Sequence, residues 1–292
     1  MWRMWAWWRS PWRKPAVLEA FTWAYLAWSL LPVLVAVAFS FNQGRSRSAW
    51  QGFSLRWYWQ DPSLSIAHDA ALRASMFHTL RLAALTTLIT VPLGVALAIG
   101  LDRWRGRIAG AFTFQVLLSF VLPEILLAVA MLFLISNLLT MLPLGIVAQV
   151  LGLVTFQLSY PVVIVRARLA TIGHEYEEAA MDLGASPFQA LRRVLLRLLS
   201  PAIFASAVLV FADVVDNFVL SRYLSADAAS EPMTVKIYAG ARSSPTPALN
   251  ALATVMLVAS LAVVAIGFLA QRRLTRGERG RGSGVDELAS QL

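Results

Sequence analysis

Six long apolar runs, separated by polar segments, dominate the pattern along the chain. They cover about residues 18–41, 78–101, 108–135, 144–165, 201–220 and 248–270. The hydrocarbon core of a bilayer is spanned by about 20 apolar residues of α-helix, and each run reaches that length. The pattern therefore predicts an all-α, polytopic membrane protein with six transmembrane helices.

Composition and charge support this interpretation and give it a direction. Of the 292 residues, 58% are hydrophobic and 14% are charged, whereas soluble domains carry about 25% charge. Arg and Lys concentrate in segments 1–17, 102–107 and 271–281. The positive-inside rule makes these segments, and therefore both termini, cytoplasmic. We attribute the net charge of +9 to this topology rather than to binding of nucleic acid.

The transmembrane domain is predicted to cover residues 18–270, with a segment of different character on each side. Residues 1–17 are rich in Trp and Arg, which is typical of a segment at the cytoplasmic membrane interface. Residues 271–292 are rich in Gly and Arg, and we expect a disordered cytoplasmic tail. Ala36-Val37-Ala38 could serve as a signal-peptide cleavage site, but the run 18–41 is long enough to be a retained span.

A polar segment at about residues 167–199, which we call the inner loop, separates the fourth and fifth runs. Its pattern predicts a helix from His174 to Asp182 that ends at Gly184, a residue that tolerates a positive φ. Ser186 is a good N-cap for a second helix, with Pro187 at its first position and Gln189 completing a capping box.

Two other interpretations of this helix–turn–helix pattern are a DNA-binding motif and an amphipathic connector lying on the bilayer. DNA binding is disfavoured because the first helix carries Glu175, Glu177, Glu178 and Asp182, which would repel phosphate. Small residues in the same stretch would let another protein surface approach closely, which a bilayer does not require. We therefore expect a protein partner at the inner loop.

Glu178-Ala179-Ala180, followed three residues later by Gly184, resembles the EAA loop of bacterial ABC-importer permeases. Further segments between about residues 30 and 265 resemble the spermidine/putrescine permease-like subfamily. These segments are Phe53-Ser54-Leu55-Arg56-Trp57-Tyr58, Pro123-Glu124-Ile125, Leu183-Gly184-Ala185-Ser186, Asp216-Asn217-Phe218 and Pro247-Ala248-Leu249-Asn250-Ala251-Leu252. The resemblance implies a type I ABC-importer permease in the bacterial inner membrane.

In that family the EAA loop forms a coupling helix that docks on an ATPase. The resemblance thus implies an ABC ATPase homodimer that binds ATP and Mg²⁺, a second and separate permease chain, and an extracytoplasmic substrate-binding protein. It assigns the coupling role to Glu178, Ala179, Ala180, Asp182, Gly184 and Ser186. The chain has no Gly-x4-Gly-Lys-Ser/Thr motif, no Cys and no metal-ligand spacing among its three His. We expect neither enzymatic activity nor a bound cofactor or metal.

The chain departs from the family pattern in two places. The family usually has a Leu-Pro pair late in the loop where this chain has Leu196-Arg197, so we expect the second loop helix to run straighter. The subfamily often has two acids in the fifth span where this chain has Asp216-Asn217. The second departure leaves the transported substrate open.

Three acids lie inside the predicted spans, where charge is expensive and usually functional. Glu124, Asp213 and Asp216 all fall in the outer half of their spans at 1.5 Å per residue, and Asp213, Asp216 and Asn217 are spaced to share one helix face. With Tyr160, they are candidates for lining the path of a small cationic, polyamine-like solute. The alternative is structural: the acids would cap helices or pair with Arg81 or Arg222.

Other functions remain open at this point. The permease could carry a solute of the phosphonate, thiamine or iron class. An ion-driven secondary transporter would use the intramembrane acids as proton sites, but it would not explain the inner loop. An intramembrane enzyme acting on lipid would require a nucleophile and a base, and the sequence shows no recognisable pair.

Overall fold

A computed structural model describes residues 16–46, 49–104, 106–243 and 246–289, with the side-chain environments of residues 17–269 and 271 outside the same gaps. Residues 1–15, which form most of the Trp- and Arg-rich segment predicted to lie at the membrane interface, fall outside the described residues. The chain divides into two units, residues 1–69 with 243–254 and residues 70–242 with 255–292.

The first unit contains helix α1, Ala16–Ser40, and the segment that follows it. A five-residue π-helix, Arg56–Gln60, is fixed by Trp57, whose fully buried indole Nε1–H donates to the Asn42 carbonyl at 2.6 Å. Asp61 ends this turn and accepts hydrogen bonds from the backbone N–H groups of Ser63 (3.1 Å) and Leu64 (2.9 Å). Its other oxygen pairs with Arg56 at 2.9 Å, so the segment is a hydrogen-bonded unit.

The second unit is a set of helices, of which the first is α2 (Ala70–Arg103). The others are α3 (Arg107–Val121), α4 (Glu124–Asn137), α5 (Ile146–Gln157), α6 (Ser159–Ile172), α7 (Glu175–Asp182), α8 (Pro187–Ala190), α9 (Leu196–Asp216), α10 (Val219–Tyr223), α11 (Met233–Ser243) and α12 (Pro247–Ala289), with residues 243–254 assigned to the first unit.

Helix α2 packs against both α6 and α9. At Gly94 a Cβ atom would lie 2.3 Å from Cγ of Pro161, so only glycine permits this approach. Pro161 lies in the first turn of α6, where a missing N–H removes no helical hydrogen bond. The close contact therefore fixes the position of α6 along the axis of α2.

Within the described part of the chain, five helices are long and apolar enough to cross a membrane. They are Val17–Ser40, Ala70–Arg103, Ile146–Ile172, Pro187–Asp216 and Pro247–Leu269. Helices α3 and α4 pass the same test only together and are bent by 108° at their junction. The all-α architecture is confirmed, with five spans, or six if the bent pair counts as one.

The third predicted span, residues 108–135, is broken into two helices. The helix ends at Val121, and Leu122 is extended with φ −64° and ψ 129°. Pro123 causes this break because the residue before a proline is disfavoured in the α region and because proline has no N–H to donate. Glu124 therefore lies in the first turn of a new helix rather than in the middle of an old one.

Two other boundaries differ from the prediction. The second loop helix continues into the fifth span as one helix, Pro187–Asp216, which contains a π-helical turn at Leu191–Leu195. The tail that we expected to be disordered is helical as far as Ala289. Extending an existing helix is easier than nucleating one, so α12 carries the tail backbone with it.

Candidate functional site

The turn of the inner loop is built around Gly184. Its φ of +88° lies in the left-handed region that favours glycine. The Ala185 N–H donates to the Ala180 carbonyl at 3.0 Å, and the Gly184 N–H donates to the Met181 carbonyl at 2.9 Å. This pair of bonds is a Schellman motif, and it ends α7 at Gly184.

The restart of the helix also follows the prediction. The Gln189 N–H donates to Ser186 Oγ at 3.3 Å, and the Ser186 N–H donates to Gln189 Oε1 at 3.1 Å. This is the reciprocal capping box, with Pro187 at the first helical position. The inner loop is therefore a defined pair of helix ends rather than an irregular connection.

The inner loop presents both the predicted coupling residues and a set of apolar side chains to its surroundings. Of the coupling residues, Ala180 is half-buried; the exposed ones are Glu178, Ala179, Asp182, Gly184 and Ser186. Leu183 is 90% exposed and Phe188 67%. No atom lies within 4 Å of where a Gly184 Cβ would be. A patch of this kind is typical of a surface that another protein covers.

The first turn of α7 is tied to the end of α2. Glu177 is buried and accepts a hydrogen bond from the Arg103 guanidinium, and His174 Nε2 lies 3.8 Å from Asp102 Oδ2. A pocket of about 240 Å³ opens beside this clamp, with Pro187 in its wall. In the sequence, segment 102–107 is recognisable only as a topology signal, and its contacts with Glu177 and His174 were missed.

Glu124 and Asn217 lie together at two helix breaks. Glu124 Oε1 accepts from Asn217 Nδ2 at 2.5 Å and from the Leu220 N–H at 3.4 Å. Asn217 Oδ1 in turn accepts from both the N–H and the hydroxyl of Ser221 at 3.2 Å. Both ends of the Asn217 amide are thus occupied by structural contacts.

The prediction that Asp213, Asp216 and Asn217 share one helix face was wrong. Helix α9 ends at Asp216, and Asn217 is extended with φ −63° and ψ 121°. Asn217 is buried while Asp216 is exposed. The hydrogen bonds of Asn217 to Glu124 and Ser221 compensate for leaving the helix.

Asp213 has a partner that the sequence did not suggest. Gln157, at the end of α5, is fully buried and donates its Nε2–H to Asp213 Oδ2. Tyr160 is half-buried three residues further on, and its ring lies edge-on to Phe120 with 5.0 Å between centroids. The structure therefore brings together Gln157 and Asp213, and it places Tyr160 beside an aromatic side chain of α3.

A second buried glutamine was also missed. Gln149 Nε2 donates to the carbonyls of Ser221 (3.0 Å) and Ser230 (2.9 Å), and Gln149 Oε1 pairs with His78 Nε2 at 2.8 Å. Arg222, considered as a partner for the intramembrane acids, pairs with Glu231 at 2.8 Å. The sequence does carry a signal for Gln149 and Gln157, because each is an amide inside an apolar run. A buried amide needs a hydrogen-bond partner, as a buried charge does.

Comparison with known proteins places these features in a family. The family described as "Binding-protein-dependent transport system inner membrane component" matches residues 90–280, which is more than half of the chain. The chain belongs to this family. It is a permease of the ABC-importer type, and as a family member with several apolar helices it is a multi-pass protein of the bacterial inner membrane.

The permease resembles polyamine permeases along most of its length. It is 34% identical over 260 residues to the spermidine/putrescine transport system permease protein PotC of Escherichia coli (strain K12), covering 88% of this chain and 94% of the relative. It is 31% identical over 278 residues to the putrescine transport system permease protein PotI of the same strain, covering 94% of each. The resemblance to the spermidine/putrescine permease-like subfamily is confirmed.

A solved structure shows the same fold at low identity. A chain from a bacterial ABC transporter involved in the import of the acidic polysaccharide alginate superposes with a TM-score of 0.70 at 16% identity, covering 89% of the permease and 96% of that chain. Since that transporter's cargo is acidic, the fold by itself does not determine the charge of the solute.

Proposed function

We propose that the permease moves a small cationic, polyamine-like solute across the inner membrane, driven by a separate ATPase. The observation that carries this proposal is the pair of acids near the end of α9: Asp213 is half-buried and Asp216 is exposed. Carboxylates inside a span are energetically expensive and are therefore usually functional. Those two would attract a positively charged solute. The polyamine names of the relatives agree with this charge.

Glu124 takes a different role in this proposal. Its Oε1 is engaged by Asn217 and by the start of α10, which favours the structural alternative that the sequence left open. Asp213, Asp216 and Tyr160 then remain as the lining of the path, and Glu124 and Asn217 hold two broken helices together beside it.

The inner loop is the proposed docking surface for the ATPase. Glu178 would make a polar contact, while Ala179, Ala180 and Gly184 would allow a close fit beside the exposed Leu183. The contact of the buried Glu177 with Arg103 would carry movement of α7 directly to α2. Asp182 and Ser186, both exposed, would lie at the rim of the contact.

The rest of the assembly follows from the same proposal. Two copies of the ATPase would bind ATP and Mg²⁺, and this chain would bind neither. A related but separate permease chain would complete the pathway, and an extracytoplasmic binding protein would deliver the solute. Both termini and the inner loop would be cytoplasmic, as the charge distribution predicts.

Reconstitution tests this function. The permease, its partner permease, the ATPase and the binding protein would be purified together and placed in proteoliposomes with radiolabelled putrescine outside and ATP inside. We expect ATP-dependent uptake that Asp213→Asn slows by about tenfold, the effect of losing roughly 1.4 kcal/mol of interaction with the solute.

The control is Asp227→Asn, because Asp227 is an exposed acid outside the predicted spans. It is expected to transport at the wild-type rate. Uptake that continues without the ATPase would indicate the ion-driven alternative. Uptake of thiamine, a phosphonate or iron in place of putrescine would contradict the polyamine assignment.

A further inference from the structure

Gln157 contributes an unusual group beside the proposed path. It comes from the end of α5, a different span from the one that carries Asp213. Its side chain is fully buried, and its Nε2–H donates to Asp213 Oδ2. Asp213 itself is half-buried, so a solute in the path would meet the carboxylate first and the amide behind it.

The carboxylate fixes the orientation of the amide. An ionised carboxylate only accepts hydrogen bonds, so the Gln157 amide must direct its N–H rather than its oxygen toward Asp213. Gln157 Oε1 is then left buried without a hydrogen-bond partner among the described residues. Since buried polar atoms are nearly always paired, this oxygen is a free acceptor held next to a negative charge.

We propose that Asp213 and Gln157 form a subsite for a protonated amine, an inference that rests on the proposed function. An ammonium group carries a positive charge and three N–H donors and has no acceptor. It would donate to the Asp213 carboxylate in place of Gln157 Nε2. The released amide would then turn about its last side-chain bond, a torsion with a broad energy minimum, and present Oε1 to the same ammonium.

The surroundings suit this class of ligand. Tyr160 follows three residues after Gln157, and Phe120 packs edge-on to it, so aromatic rings are available to the cation close to the subsite. An anion would be repelled by Asp213. A neutral hydroxyl could supply a donor to Oε1, but it would leave the charge of Asp213 without a counterion.

The test uses two probes that differ in donors but not in charge. Putrescine has two primary ammonium groups, and its bis(trimethylammonium) analogue has the same charge without N–H donors. In the reconstituted complex we expect the wild type to prefer putrescine. Gln157→Met, which keeps the size but removes the amide, should raise the KM for putrescine about tenfold, the scale of a lost hydrogen bond to a charged group.

The analogue distinguishes binding from packing. In Gln157→Met, inhibition by the analogue and the maximal rate of putrescine uptake should stay unchanged. The preference for putrescine over the analogue should therefore fall by the same factor of about ten as the rise in KM. Gln115→Met changes an exposed glutamine of α3 and serves as the matched control with no expected effect. If Gln157→Met weakened the binding of putrescine and of the analogue equally, Gln157 would have a packing role. If it changed neither affinity, only water or protein groups would satisfy Gln157 Oε1. Either result would overturn the subsite.

A second variant covers failure of assembly. Gln157→Asn keeps an amide and places no second carboxylate against Asp213, so it is expected to retain more of the preference for putrescine than Gln157→Met does; a preference no greater than that of Gln157→Met would also overturn the proposal. Failure of the proposed function looks different, because the wild-type complex would then not take up putrescine at all. If the wild-type complex takes up putrescine but Gln157→Met keeps the same preference for it, only the subsite is rejected and the proposed function stands.

Discussion

Glu124 and Asn217 join the breaks of two helices through one hydrogen bond of 2.5 Å between Oε1 and Nδ2. Glu124 begins α4 directly after the bend at Pro123, and Asn217 ends α9 directly before α10. Each break leaves backbone groups that a helix would have satisfied, and the two side chains supply partners: Glu124 bonds the Leu220 N–H, and Asn217 bonds Ser221. The two irregular points of the permease therefore depend on each other.

Replacing Asn217 with Asp should destabilise the permease, because a buried carboxylate would then face the Glu124 carboxylate without a donor between them. We expect a loss of about 2 kcal/mol, the scale of a broken hydrogen bond to a charged group. Thermal unfolding of the purified permease, followed by intrinsic Trp fluorescence, measures it. The double variant Asn217→Asp with Glu124→Gln restores a donor and should recover most of the loss; additive effects would argue against a direct interaction.

Gly184 and Gly100 form a matched pair for the strain in the inner-loop turn. Neither has an atom within 4 Å of an added Cβ, but Gly184 has φ +88° whereas Gly100 lies inside α2. Gly184→Ala should destabilise the turn by about 1 kcal/mol, because L-residues disfavour this region. Gly100→Ala should be neutral or slightly stabilising, because alanine is the better helix former. Hydrogen exchange at the amides of Gly184 and Ala185 reports the difference, and faster exchange there in both variants, or in neither, would contradict it.

The inner-loop turn and the Glu124–Asn217 contact show what local sequence can and cannot reveal. The ends of α7 and α8 were predictable because Gly184 and Ser186 act on backbone groups only a few residues away. The bend at Pro123 was visible in the sequence, but counting apolar residues measures the length of a span and not its direction. The partners of Asn217 and Asp213 lie on other spans, 93 and 56 residues away, and only packing brings them together.

Asp61 should make the first unit sensitive to acid. The backbone N–H groups of Leu64 and Ser63, with further help from Arg56, lower the pKa of Asp61 from 3.8 to about 2. Because the folded carboxylate holds its charge more strongly than the unfolded one, its contribution to stability is complete above pH 3.8 and is lost as the pH falls toward about 2.

Asp61→Asn provides the comparison for this pH dependence. The wild type should have the higher unfolding temperature at pH 7 and pH 5, and its advantage over the variant should shrink between about pH 4 and pH 3. Ser54→Ala changes a half-buried site in the same segment, where the Ser54 hydroxyl accepts from the Arg56 N–H at 3.1 Å, and it should shift stability without this pH dependence. A constant difference between wild type and Asp61→Asn over the whole range would contradict the assignment.

The inner loop is proposed as the surface on which the ATPase docks, and the exposed residues Leu183 and Met141 test this claim. Leu183 is 90% exposed in the inner loop, and Met141 is 97% exposed in the turn between α4 and α5, on the opposite predicted side of the membrane. The measurement is co-purification of the ATPase with each variant from detergent. Leu183→Asp should reduce the bound ATPase at least about tenfold, as expected for a central apolar contact, and Met141→Asp should leave it unchanged. Equal recovery of the ATPase with both variants would contradict the claim.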